Sequence, residues 1–144
     1  MAIRKARTPF NRQPRLSMAV QDGHIRAAWP TFTRRGNEHA SEWKGCLQPT
    51  PVAGRYAVAV EYRMGYIPKA KVVSPELVDN APHIYSKQKL CLYHPADWNW
   101  HGNRILAYTI FPWVANWLFF YDLWLDTGEW LGPEAPHSGR KVAA

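Results

Sequence analysis

The chain has 144 residues, of which 47% are apolar and 20% charged, with twelve prolines and eight tryptophans. This composition is typical of one globular domain with a sizeable core and excludes a disordered chain. The net charge of +7 comes from residues 1–35, where eight Lys and Arg accompany one acidic residue, whereas residues 36–144 carry ten charges of each sign. Nucleic acid is therefore not favoured as the main partner, although a basic arm could contact phosphates or an acidic protein surface.

The cysteine content and the first residues indicate a cytoplasmic protein. Two cysteines cannot form a disulfide framework, which is typical of a reducing compartment. Residues 1–15 are basic but lack the apolar segment of a signal peptide. Residues 105–125 form a long apolar run, but Pro112, Asn116 and Asp122 interrupt it and no basic cluster flanks it. We therefore expect a buried helix there and no association with a membrane.

The first half of the chain predicts a basic, partly disordered arm over residues 1–17, followed by short strands. The clearest strand places Tyr56, Val58, Val60 and Tyr62 on one face with a period of two. Tight connections between the strands predict an antiparallel meander with one face to be covered. The predicted strands are 24–33, 42–51, 54–63 and 67–75.

The second half predicts a long loop, a helix and a frayed tail over residues 138–144. Residues 76–104 have no sustained period, and ordered loops of this length usually carry function. A helix is predicted from Ile110 to Asp126, with Thr109 as its N-cap and Gly128 at its end. The fold class is therefore α+β, a four-stranded antiparallel meander with a long buried helix packed on the sheet, and the predicted domain spans residues 18–137.

The stretch "APHIYSKQKLCL", residues 81–92, resembles the active-site region of ubiquitin-conjugating (UBC-like) enzymes. That family carries His-Pro-Asn, then Ile-Tyr, a short turn and Ile-Cys-Leu; here Pro82, Ile84, Tyr85 and Cys91 occupy the matching positions. Upstream, "YRMGYIPKAKVVSP" is similar to the strand that leads into this region. The resemblance covers roughly residues 24–135 and implies the UBC-like fold with the cysteine on a loop before the buried helix.

The resemblance also implies chemistry. Cys91 would accept a protein C-terminus as a thioester and pass it to an amine. Ala81 replaces the family's histidine and His83 its asparagine, so His83 would either donate a hydrogen bond or act as a base. No cofactor and no metal are expected. Binding roles would fall to further residues near the cysteine: Tyr85, His94, Trp98 and Trp100.

Several positions allow other interpretations. His94 lies three residues after Cys91, and on an extended segment this odd offset would point it to the opposite side. Asp122 and Asp126 lie near where the family places an acidic residue that orients the incoming lysine. Cys46 matches no motif and is expected to pack in the core. A zinc site could use Cys91 with three histidines: His83, His94 and His101.

The ending "DTGEWLGPEAPH" is similar to a divergent bacterial branch of the fold that accompanies cGAS-like nucleotidyltransferases in CBASS anti-phage operons. This similarity implies conjugation of the nucleotidyltransferase's own C-terminus rather than of ubiquitin. The C-terminus of a ubiquitin-like protein is the alternative partner. The chain has no Gly-rich phosphate loop, so it cannot adenylate a C-terminus by itself. A separate activating enzyme would supply the acyl group, or the C-terminus would be attacked directly. The alternative function is a non-catalytic UBC-like adaptor that binds the same partners.

Overall fold

The computed structural model describes residues 14–94 and 96–133, which form an α+β fold. One antiparallel sheet of six strands has the order β1-β2-β3-β4-β6-β5 and lies between a short first helix and a long second helix in the sequence. A short 3₁₀ turn, Leu106–Tyr108, leads into the second helix. The elements are α1 Met18–Ala28, β1 Thr33–Gly36, β2 Ala40–Leu47, β3 Tyr56–Arg63, β4 Lys69–Ser74, β5 Ile84–Ser86, β6 Lys89–Leu90 and α2 Ile110–Thr127.

The core lies between the sheet and α2. In β3 the alternating residues predicted to share a face are all buried. On α2, Phe111, Val114 and Leu118 are fully buried, as the apolar spacing of the helix predicts. Two aromatic contacts join the layers: the rings of Phe32 and Phe111 are 4.9 Å apart, and those of Tyr56 and Tyr121 are 6.1 Å apart. The helix therefore packs on the sheet.

The second helix was predicted within one residue of its observed end. Gly128 follows it with φ 76°, and its N–H donates to the carbonyl of Trp124, as expected of a glycine stop. Thr109, however, is not a side-chain cap: its hydroxyl donates 2.9 Å to the carbonyl of Ile105. Among the described residues, no helix is long and apolar enough to cross a membrane.

The first predicted strand is wrong, because the segment up to Ala28 is helical. Its buried positions, Met18, Gln21, Asp22 and Ile25, follow the helical spacing i, i+3, i+4, i+7, but two of them are polar. The helix therefore has a buried face, but the sequence of this segment lacks the apolar pattern by which a helix is predicted. The first strand that the structure contains begins only at Thr33.

The sheet is also larger than predicted. The segment predicted as one long loop contains β5 and β6, which are three and two residues long and too short to show a period. The three later predicted strands are confirmed as β2, β3 and β4. Cys46 in β2 is exposed, so its predicted core position is wrong.

Residues 1–13 and 134–144 lie outside the described residues, and these ranges contain most of the predicted arm and all of the predicted tail. Residues 14–17 are described, and they contact the domain. The N–H of Leu16 donates 2.8 Å to the carbonyl of Gly102. The Ser17 side chain accepts from the N–H of Val20 and caps α1.

Candidate functional site

The β5–β6 hairpin brings His83 and Cys91 together. Ile84 pairs with Leu90 in this hairpin, so the residues one step further out, His83 and Cys91, oppose each other. The N–H of Cys91 donates 2.8 Å to the carbonyl of His83. The two residues that the sequence predicts as catalytic are therefore neighbours.

The carbonyl of His83 accepts a second hydrogen bond, from the indole N–H of Trp117 at 3.1 Å. Trp117 is buried on α2, so one carbonyl oxygen connects the end of the hairpin to the long helix. His83 has φ 56°, in the left-handed region, where histidine and asparagine are among the better tolerated side chains. This backbone turn directs the His83 carbonyl to both donors and fixes the position of Cys91.

Cys91 opens into a cleft of about 350 Å³ between the hairpin and α2. The thiol is partly exposed, and its sulfur lies 3.8 Å from the carbonyl oxygen of Tyr93. A partly exposed thiol in a concave site is accessible to an incoming carbonyl carbon. The lining includes His83, Cys91 and His94 on one side and Trp113, Asn116 and Trp117 on the other.

Two tyrosines define the electrostatics around the sulfur. The hydrogen bond to Cys91 is the largest cause that raises the pKa of Tyr85 to about 12, followed by partial burial. Burial, and then the charge of Cys91, raise the pKa of Tyr93. Both hydroxyls therefore keep their protons near neutral pH, and the Tyr85 hydroxyl lies within hydrogen-bonding reach of the sulfur as a donor to a thiolate.

His94 lines the same cleft as Cys91, so the expectation that its odd offset points it away is wrong. The chain bends at Tyr93 instead of continuing as a strand. A turn follows, in which the N–H of Asp97 donates 2.9 Å to the carbonyl of His94. The Nδ1 atom of His94 accepts 3.1 Å from the N–H of Ala96. His101 is exposed and is not part of the described lining.

Trp98 and Trp100 lie behind the cleft and do not belong to its described lining. The ring of Trp98 packs edge-on against Trp113 at 4.6 Å and against Tyr93 at 4.8 Å. Trp100 packs against Tyr62 at 5.3 Å. These two tryptophans support the cleft wall, and their direct contact with a ligand stays a prediction.

Most of the lining was not predicted, including its polar members Asp97 and Asn116 and the indole of Trp130. Asn116 is exposed in the middle of an apolar helix and shares a face with Trp113 and Trp117 at helical spacing, a pattern visible in the sequence. The ring of Trp130 lies 4.9 Å from that of His83. Asp122 accepts a hydrogen bond from Tyr56 and, like Asp126, is absent from the described lining.

The structure offers no metal centre within residues 14–94 and 96–133. No three His, Cys, Asp or Glu side chains in this range lie close enough to hold an ion, so the four residues of the zinc interpretation do not gather into a site. A larger hollow of about 800 Å³ lies at the end of β2 and β3, beside Tyr66. Its described lining includes neither a cysteine nor a histidine, whereas the cleft at Cys91 brings both together and is therefore the candidate active site.

Comparison with known proteins identifies a family for this arrangement. A family model described as "Type II CBASS E2 protein" matches residues 21–138, which is most of the chain. No curated protein matches the chain. The matched range begins inside α1 and includes the hairpin, Cys91 and all of α2.

Proposed function

This chain belongs to the Type II CBASS E2 family, and we propose that it forms a thioester on Cys91 and transfers the acyl group to an amine. Family membership indicates a conjugating-enzyme role in CBASS anti-phage defence. The observation that supports the thioester is the placement of Cys91, partly exposed in a cleft and held by the carbonyl of His83.

The first step is an exchange of thioesters. The donor C-terminus arrives as a thioester on a separate activating enzyme, and the Cys91 thiolate attacks its carbonyl carbon. The new C–S bond forms, the C–S bond to the activating enzyme breaks, and that thiolate leaves with the proton that Cys91 gave up. The Tyr85 hydroxyl stabilises the attacking thiolate, because it donates to the sulfur and keeps its own proton.

The tetrahedral intermediate of this step needs a hydrogen-bond donor for its oxyanion. The N–H of Cys91 cannot serve, since it already donates to the carbonyl of His83. Asn116 faces the cleft from α2, and its side-chain amide is the uncharged donor on the opposite wall. We assign stabilisation of the oxyanion to Asn116.

The second step transfers the acyl group to an amine. The amine nitrogen attacks the thioester, the C–S bond to Cys91 breaks, and an amide bond forms. One proton leaves the nitrogen and ends on the Cys91 sulfur. The imidazole of His83, in the same cleft, is the base that carries it. The donor is the C-terminus of a CBASS nucleotidyltransferase, a choice supported by the family.

The decisive experiment is intact mass spectrometry of the chain with its operon's nucleotidyltransferase and activating enzyme, without reductant. The wild type should gain the mass of the nucleotidyltransferase less one water, and hydroxylamine should remove it. Cys91→Ala should form no adduct. Cys46→Ala, which removes the exposed second thiol, is the matched control and should react like the wild type. Tight binding with no adduct in the wild type would instead identify a non-catalytic adaptor.

A further inference from the structure

A second hollow adjoins Cys91 on the side away from α2. It is a groove of about 360 Å³ along β4 and the β5–β6 hairpin, and Ile67, Lys69, Tyr85, Lys89, Leu92 and Tyr93 are among its lining. Leu92 and Tyr93 also line the cleft, so the two hollows lie on either side of these residues. Tyr85 and the two chain neighbours of Cys91, Leu90 and Leu92, line this groove. Cys91 itself lines the cleft, so it lies between two approaches.

The two approaches differ in charge. Within the described lining, the cleft contains one carboxylate, that of Asp97, and no lysine or arginine. The groove is the reverse, with two exposed lysines, Lys69 and Lys89, and no acidic side chain within its described lining. The rest of the groove is apolar, and Ile67 and Tyr85 leave 61% and 67% of their surface exposed there.

Acyl transfer brings two chains to one carbon atom, the acyl donor and the attacking amine. An incoming lysine is a cation before it loses its proton. It is repelled by the two lysines of the groove and attracted by Asp97 and the faces of the aromatic side chains in the cleft. The amine therefore approaches through the cleft, and the groove is left for the donor.

We propose that the groove binds the C-terminal segment of the acyl donor as an extended peptide of apolar residues with interspersed carboxylates. Its apolar side chains cover Ile67 and Tyr85, and its carboxylates pair with Lys69 and Lys89. This inference rests on the proposed thioester chemistry and adds the class of donor sequence that Cys91 accepts.

The test uses two synthetic pentapeptide thioesters, one with the sequence Asp-Leu-Asp-Leu-Gly and one with Lys-Leu-Lys-Leu-Gly. Acylation of Cys91 is followed by intact mass. At low salt the acidic peptide should acylate the wild type about ten times faster than the basic one, and salt should reduce the difference, because exposed charges are screened. Equal rates for the two peptides at low salt would overturn the proposal.

Variants separate docking from chemistry. Lys89→Glu should slow the acidic peptide about five- to ten-fold and speed the basic one. Lys44→Glu, on β2 and outside the groove lining, makes the same change in net charge and should leave both rates unchanged. The thioester of N-acetylglycine, which has no peptide to dock, should acylate all three proteins equally. If Lys89→Glu slows this small thioester as much as the acidic peptide, the effect is on the thiol and the groove assignment is wrong.

Thioester formation with the full-length nucleotidyltransferase distinguishes this inference from the proposed function. If the nucleotidyltransferase C-terminus is loaded on Cys91 of the wild type and of Lys89→Glu at the same rate, the groove assignment alone fails. If it acylates neither, while N-acetylglycine thioester still reacts with Cys91, the proposed function fails and the groove assignment with it.

Discussion

The N–H of Cys91 donates 2.8 Å to the carbonyl of His83, and the same oxygen accepts 3.1 Å from the indole of Trp117. One acceptor thus joins the nucleophile to the long helix. The bond also occupies the main-chain donor nearest to the sulfur, so an oxyanion at Cys91 must use a side chain. Mutations can therefore test separately the hydrogen bonds that hold Cys91 in place and the side chains that take part in its reaction.

Trp117→Phe should loosen the hairpin without removing any reacting group. It deletes the donor to His83 and shrinks a buried side chain, which should lower the free energy of unfolding by about 2 kcal/mol. Urea unfolding measures this loss, and amide hydrogen exchange at Cys91 should become faster. Trp124→Phe, less buried on the same helix, should cost less than about 1 kcal/mol and leave the Cys91 amide protected. Unchanged exchange in Trp117→Phe would show that the bond does not hold the hairpin.

Two substitutions at His83 should separate the effect of its left-handed backbone on stability from the effect of its imidazole on amine transfer. Asparagine tolerates the left-handed conformation at φ 56°, whereas a β-branched valine does not, so His83→Val should be less stable than His83→Asn by about 1–2 kcal/mol. Both lack the base, and both should slow amine transfer about a hundred-fold while thioester formation changes less. His94→Asn is the comparison. If it slows transfer more than His83→Asn does, the base is His94.

Tyr85→Phe should slow the alkylation of Cys91 by iodoacetamide. Loss of a hydrogen bond to the thiolate should reduce the labelling rate near neutral pH about five- to ten-fold. Because the pKa of Tyr85 is raised to about 12, the hydroxyl remains a donor over the whole neutral range, and the ratio of the two rates should not change there. The exposed Cys46 is an internal reference in both proteins. Equal rates at Cys91 would remove Tyr85 from the site.

The site was predictable where local spacing determines contact. The motif from Pro82 to Cys91 identified the cysteine. A regular hairpin with Ser86 opposite Lys89 would place His83 opposite Leu92, and the register shift between Ile84 and Ser86 places it opposite Cys91 instead. The side of the cleft formed by α2 was not predicted, because the position of Asn116 across the cleft from this hairpin depends on how the helix packs. The position of His94 was mispredicted because the chain bends at Tyr93, so the alternation of an extended strand does not hold between Cys91 and His94.

The first helix shows a different limit of prediction from hydrophobic periodicity. Its buried face is half polar, and most partners of its polar atoms lie far away in the sequence, while Arg26 lies one turn further along the same helix. Asp22 accepts 2.9 Å from the indole of Trp43 and pairs with Arg26 at 3.1 Å. Gln21 donates 2.7 Å to the carbonyl of Arg104 and accepts 3.0 Å from the N–H of Leu106. A hydrophobic period cannot reveal such a face, because its burial is stabilised by hydrogen bonds.

Gln21→Leu tests this account of the first helix. Leucine restores an apolar period but leaves a buried carbonyl and a buried N–H without their partners, which should cost about 2–4 kcal/mol in urea unfolding. Val20→Leu, at the neighbouring exposed position, should change stability by less than about 0.5 kcal/mol. A Gln21→Leu protein as stable as the wild type would mean that the two hydrogen bonds contribute nothing to the docking of the helix.

The contact between Tyr56 and Asp122 should make the free energy of unfolding decrease at alkaline pH. Burial, and then the hydrogen bond to Asp122, raise the pKa of Tyr56 above its ordinary value of 10.0. In the unfolded chain Tyr56 ionises near pH 10, but in the folded protein it keeps its proton to higher pH. Its contribution to stability is therefore complete below pH 10 and is lost as the pH rises above it, by at most about 1.4 kcal/mol per pH unit.

Tyr56→Phe isolates this contribution, because all other tyrosines are common to both proteins. At neutral pH the variant should be less stable by about 1–2 kcal/mol, since Asp122 loses its donor. Above pH 10 the wild type should lose stability faster than Tyr56→Phe, so the two curves of unfolding free energy against pH converge. Asp122→Asn should keep the part of this pH dependence that comes from burial and lose the part that comes from the carboxylate. Parallel curves for the wild type and Tyr56→Phe between pH 8 and about 11 would contradict the assignment, because a raised pKa requires the difference between them to shrink.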